Sequence, residues 1–118
     1  MFLCKWKLCL YKKIMFMRRE IIISAIRNAL KPMQPVVNAM LYGSEARGDA
    51  RQESDIDLLV LVDQKEVSLD DEMRITDPLY QIELETGVLI NTLILPKRKW
   101  GAVVTPFYEN VMKDGVWL

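Results

Sequence analysis

The hydrophobic positions fall into alternating helical and strand-like rhythms. Over 13–30, Ile14, Met17, Ile21, Ile22, Ala25, Ile26 and Leu30 recur at helical spacing, which predicts one apolar helix face. Arg18, Arg19, Glu20 and Arg27 sit mostly between them, and Pro32 and Pro35 follow. Proline lacks the N–H that a helix needs, so the helix ends there and a connector begins. The run over 36–41 is short and apolar and suits a buried strand before Gly43. Over 55–63, Ile56, Leu58, Leu59, Val60, Leu61 and Val62 are apolar on both faces of a strand. Such a run belongs in the middle of a sheet.

The second half repeats the alternation. Residues 68–87 are helical in pattern, with Ser68 as N-cap and Asp70, Asp71 and Glu72 in the first turn. Pro78 interrupts them: either Asp77 caps a second helix with Pro78 at its first position, or one helix runs through with a kink. Leu79, Ile82 and Leu84 are its candidate core residues, and Gly87 stops it. Residues 88–95 form a third strand, halted by Pro96. A short helix is expected within 97–104, with Trp100 packing its apolar side. Thr105-Pro106 then signals the start of a last amphipathic helix over 107–113. Residues 116–118 are an edge strand or a tail. Trp100, Phe107 and Trp117 are candidates for core packing or for a partner surface.

Composition narrows the function classes. The 118 residues are 51% hydrophobic and 27% charged, as in an ordinary globular domain with one core. The formal net charge is zero, so no global field recruits nucleic acid, and no direct nucleic-acid binding is expected. There is no histidine, which excludes Ser-His-Asp chemistry and His-containing zinc sites. Cys4 and Cys9 are the only cysteines; they make no disulfide framework and read as reduced thiols of a cytoplasmic protein. No apolar run reaches the roughly 20 residues of a membrane span. The basic, apolar leader over 1–13 carries Lys5, Lys7, Lys12 and Lys13, which break any signal-peptide core. It reads as an upstream start, with Met15 or Met17 the expected beginning, and 14–118 as a single domain.

One stretch concentrates the chemistry. Tyr42-Gly43-Ser44-Glu45-Ala46-Arg47-Gly48 leads through a polar loop to Ser54-Asp55-Ile56-Asp57. Strand alternation projects Asp55 and Asp57 to one face, with Ile56 and Leu58 on the other. Two adjacent carboxylates repel unless a cation joins them, and magnesium is held by one or two carboxylates plus substrate phosphates. Gly43 lets backbone approach a ligand. Gly43-Ser44 is expected to form a turn, and Ser44 to lie near the N-cap of a short helix over 44–47. The Ser44 hydroxyl and neighbouring N–H groups can donate to phosphate. Arg47 adds a bidentate donor, and Arg51 is a weaker candidate.

Gly43-Ser44 followed by Ser54-Asp55-Ile56-Asp57 resembles the Gly-Ser…Asp-x-Asp signature of the DNA polymerase beta-like nucleotidyltransferases. The form Gly-Ser-x-Ala-Arg-Gly…Ser-Asp-Ile-Asp-Leu looks like their minimal nucleotidyltransferase branch. Thr105-Pro106-Phe107-Tyr108-Glu109-Asn110-Val111, with Asp114-Gly115-Val116, is also similar to the end of such proteins. The resemblance implies an α+β fold, a mixed β-sheet of three to four strands flanked by helices. It implies that Gly43 and Ser44 hold nucleotide phosphates while Asp55 and Asp57 bind Mg2+. It implies transfer of a nucleoside monophosphate, AMP from ATP, onto a partner's hydroxyl, as by an antitoxin acting on a HEPN-type toxin in a homo- or hetero-oligomer. Two alternatives remain: a degenerate module that neutralises its partner by contact, and transfer to a small molecule such as an antibiotic. The resemblance also implies a third carboxylate on a later strand. The strand over 88–95 has no acid, and Asn91 stands about where one is expected. Glu83 and Glu85, on the preceding helix, are the remaining acids considered for a substitute role.

Overall fold

A computed structural model describes residues 19–48, 50 and 54–118. The leader, Met15, Met17, the two cysteines and Arg51 lie outside the described residues. Helix α1 covers 19–30 of the described chain and passes into a 3-10 turn, Lys31–Met33. Strand β1 (Val37–Tyr42), helix α2 (Gly43–Arg47) and strand β2 (Ile56–Val62) follow. Helix α3 (Leu69–Thr86), strand β3 (Ile90–Pro96), a 3-10 turn at Lys97–Lys99, helix α4 (Pro106–Asp114) and strand β4 (Val116–Trp117) complete the order.

The four strands form one mixed sheet in the order β3-β2-β1-β4. β1 runs antiparallel to both β2 and β4, and β2 runs parallel to β3. The apolar run of β2 is central, with every residue from Leu58 to Val62 buried, as a strand covered on both faces requires. Residues 116 and 117 form a short edge strand rather than a tail.

Period-two alternation divides the core. Ile56, Leu58, Val60 and Val62 share one face with Val37, Ala39, Leu41 and Ile90, and pack against Ile22, Ile26 and Leu30 of α1 and Ile75, Leu79 and Ile82 of α3. Leu59 and Leu61 face the other way and pack with Met40 and Val111 of α4. Trp100 packs on this second cluster as a half-buried residue. Phe107 and Trp117 stay exposed.

α3 is one helix through Pro78, so the single-helix alternative holds and no second cap forms at Asp77. Its start is the expected one: Ser68 Oγ accepts from Asp71 N, and the Asp71 carboxylate accepts from Ser68 N, each at 3.1 Å. Leu84 is exposed rather than in the core, and Ile75 takes a buried place on the stripe instead. Ile21 is likewise exposed, because Ile22, Ile26 and Leu30 already define the buried side of α1. No described helix is long and apolar enough to cross a membrane.

Candidate active site

The antiparallel and parallel registers set three side chains in a row. Tyr42 pairs with Asp57, and Asp57 pairs with Asn91. All three lie on the α4 side of the sheet, at its end nearest α2. Asp55 stands just ahead of β2, and Ile56 N fixes that end by donating to Leu89 O at 2.9 Å. Asp55 and Asp57 do share a face: Asn91 Nδ2 donates to Asp55 Oδ2 and to Asp57 Oδ1, both at 3.3 Å.

β1 turns into α2 at Gly43, whose φ is 70°, a left-handed backbone that glycine adopts without penalty. Space imposes the same choice. A Cβ on Gly43 would lie 3.3 Å from Asp57 Cγ and closer still to Oδ2. The Gly43 turn and the Asp57 carboxylate therefore meet with nothing between them. Ser44 is inside α2 rather than its cap; Tyr42 holds the cap position and makes no side-chain capping bond. Ser44 is half-buried and Arg47 is exposed in the last turn. Gly43, Ser44, Asp55 and Asp57 are thus brought to one end of the sheet, with α2 packed on β1 and β2.

Tyr42 closes one side. Its ring meets Phe107 edge-on at 5.5 Å, and Phe107 meets Trp100 at 6.1 Å. Burial, and then the Asp57 charge, push the Tyr42 phenol above its ordinary pKa, so its hydroxyl stays protonated at neutral pH.

Glu83 and Glu85 do not join this row. α3 covers the opposite face, and Glu83 Oε1 accepts from Ile90 N at 2.7 Å. Sequence reading missed Arg19. Its guanidinium is buried, with Nε donating to Glu45 Oε1 in an ion pair and Nη2 donating to Ser54 O at 2.8 Å. The available signal was its place three residues before Ile22, on the same stripe as Ile26 and Leu30.

Among the described residues no group of three or more His, Cys, Asp or Glu side chains converges. The protein offers a cation two hard carboxylates, which fits a site completed by substrate phosphates. Asn91 can turn its amide to present Oδ1 once a cation replaces the two hydrogen bonds.

The fold and this row define a nucleotidyltransferase. The family described as Polymerase beta, Nucleotidyltransferase matches residues 24–101, and the chain belongs to it. A Methanocaldococcus jannaschii protein named Putative protein adenylyltransferase MJ0604 is 32% identical over 102 residues, covering 84% of this chain and 96% of its own. A second from that organism, Putative protein adenylyltransferase MJ0141, is 34% identical over 77 residues, 65% of this chain and 73% of its own. The fold is similar to a crystal structure of a toxin-antitoxin with AMP-PNP, with TM-score 0.55, 18% identity and coverage of 80% and 69%. It is also similar to a crystal structure of a mutant of the toxin-antitoxin MntA-HpeT, with TM-score 0.52, 22% identity and coverage of 79% and 68%.

Proposed function

We propose that the protein moves AMP from ATP onto a hydroxyl of a partner protein, with Asp55 and Asp57 holding Mg2+. The observation that carries this is the direct approach of Gly43 to Asp57, with Asp55 joined through Asn91. A nucleotide's phosphates and its cation have to be gripped together, and the two grips touch here.

In this reading the backbone N–H groups at Gly43-Ser44 and the Ser44 hydroxyl hold phosphate oxygens, and Arg47 supplies a further cationic donor. Bound Mg2+ supplies charge neutralisation on the phosphates. The acceptor oxygen attacks the α-phosphorus, the bond to the β-phosphate oxygen breaks, pyrophosphate leaves, and the acceptor's proton passes to solvent. The names of the relatives support adenylyl transfer to protein. The toxin-antitoxin complexes among the structural neighbours support an antitoxin paired with a toxin, of HEPN type on the sequence resemblance. We place this chemistry in the cytoplasm, where ATP and Mg2+ are at hand and thiols such as Cys4 and Cys9 stay reduced.

Labelled ATP and Mg2+, incubated with the protein and the product of the neighbouring gene, test it. Label passes to the neighbour with wild type and not with Asp57→Ala. No transfer by wild type sinks the reading.

Asn91 favours a second reading, neutralisation by contact with little or no transfer, because an amide cannot act as a base. Transfer by wild type separates the two, and Asn91→Asp tests whether the missing acid sets the rate. If the missing acid limits a working enzyme, this variant transfers faster, and Mg2+ raises its melting temperature more than it raises that of wild type.

A further inference from the structure

Arg19 touches both arms of the site from outside the motif. It extends the buried stripe of Ile22, Ile26 and Leu30 by one turn, at 8% exposure. Its ion-pair partner Glu45 directly follows Ser44 on α2. Its second acceptor, the Ser54 carbonyl, directly precedes Asp55. A guanidinium is planar and presents its donors as a rigid fork. Two bonds from one fork therefore fix α2 relative to the start of β2. A buried ion pair is weak evidence for stability, since an apolar residue of similar volume packs as well or better. An apolar residue there would not connect Glu45 to Ser54. Among the described residues the buried Nη1 group has no hydrogen-bond partner, so the bonds to Glu45 and Ser54 are what hold the guanidinium. The pairing engages Glu45, the one acid inside α2, through its Oε1.

We infer that Arg19 is a positioning residue for nucleotide transfer: it sets the phosphate turn Gly43-Ser44 against the carboxylates Asp55 and Asp57. This rests on the function proposed above. A turn and a carboxylate pair held at the right separation grip a metal–nucleotide complex together, so the cation and the nucleotide strengthen each other's binding. Arg19→Lys keeps a charge near Glu45 but cannot reach Ser54 as well.

Titration calorimetry on the full chain tests this, using a non-hydrolysable ATP analogue with and without Mg2+. Wild type binds the analogue about ten-fold more tightly with Mg2+, within the usual range of coupling between sites. In Arg19→Lys that enhancement falls to about two-fold, while affinity for the analogue alone is unchanged. Circular-dichroism melting confirms that the variant is folded at the assay temperature, and Glu45→Gln serves as the second variant should it not be. A purely structural role lowers the melting point and leaves the Mg2+ enhancement intact, and that result overturns the inference. If wild type itself binds no analogue, the proposed function falls, and this inference with it.

Discussion

Gly43 and Gly48 bracket α2, and both have left-handed backbone, with φ of 70° and 77°. Their surroundings differ. A Cβ at Gly48 meets nothing within 4 Å, whereas one at Gly43 runs into the Asp57 carboxylate. Alanine at either position bears the left-handed penalty, about 1–2 kcal/mol. Only at position 43 does it also push the carboxylate away from the turn. Urea unfolding is expected to show Gly43→Ala as the less stable variant, and a transfer assay to show it inactive while Gly48→Ala retains transfer. Equal effects in both assays would mean that the Gly43–Asp57 approach has no functional weight. At this scale the placement of the candidate carboxylates was legible. Period-two alternation put Asp55 and Asp57 on one face, and the Asn91 hydrogen bonds realise it. Arg19 was not legible, because a charge beside Arg18 and Glu20 reads as solvated. Its burial is offset by the ion pair with Glu45 and the bond to the Ser54 carbonyl, 26 and 35 residues away in sequence.

Helix α3 shows how far capping chemistry reaches. Ser68 caps the helix as expected, and the structure adds the reciprocal bond from Asp71 that completes a capping box. Pro78 was ambiguous because local sequence offers two solutions. Burial of Ile75, Leu79 and Ile82 along one stripe decides for continuity, since a break at Asp77 would rotate Ile75 off the sheet. Ser68→Ala removes the hydroxyl acceptor and is expected to lower stability by about 1 kcal/mol. Asp71 adds an acid dependence. Hydrogen bonds from the Ser68 backbone and then its side chain hold the Asp71 carboxyl below the usual carboxylate range. A lowered folded pKa means that its contribution is present above the ordinary value, near pH 4, and is lost as pH falls through the folded value. The melting-temperature gap between wild type and Asp71→Asn should therefore be widest near neutral pH and close below about pH 4. A gap that does not change with pH would show that the ionised carboxylate contributes nothing to the cap.

At the scale of the whole molecule the two sheet faces are unequal. One is covered by α1 and α3, the other by α4 and the turn around Trp100, with the Tyr42–Asp57–Asn91 row at its end. The sequence pattern predicted buried strands but not their order, because β1 pairs with the two-residue β4 and that pairing has no local signal. On the α4 side Phe107, Met112 and Trp117 are exposed at 43%, 47% and 53%, and Phe107 meets Tyr42 of the row edge-on. Binding and chemistry can thus be separated by mutation. Asp55→Ala/Asp57→Ala removes two like charges from neighbouring positions, which relieves repulsion where no cation is present. The double variant should melt no lower than wild type in chelator, and it leaves helix α4 with its exposed Phe107 and Met112 unchanged. Co-purification with the partner should persist, while rescue of cells expressing that partner should be lost. Loss of rescue with the complex intact shows that neutralisation requires the carboxylates. Full rescue by the double variant would instead make Asn91 the mark of a protein that silences its partner by contact, and would overturn transfer as the basis of neutralisation.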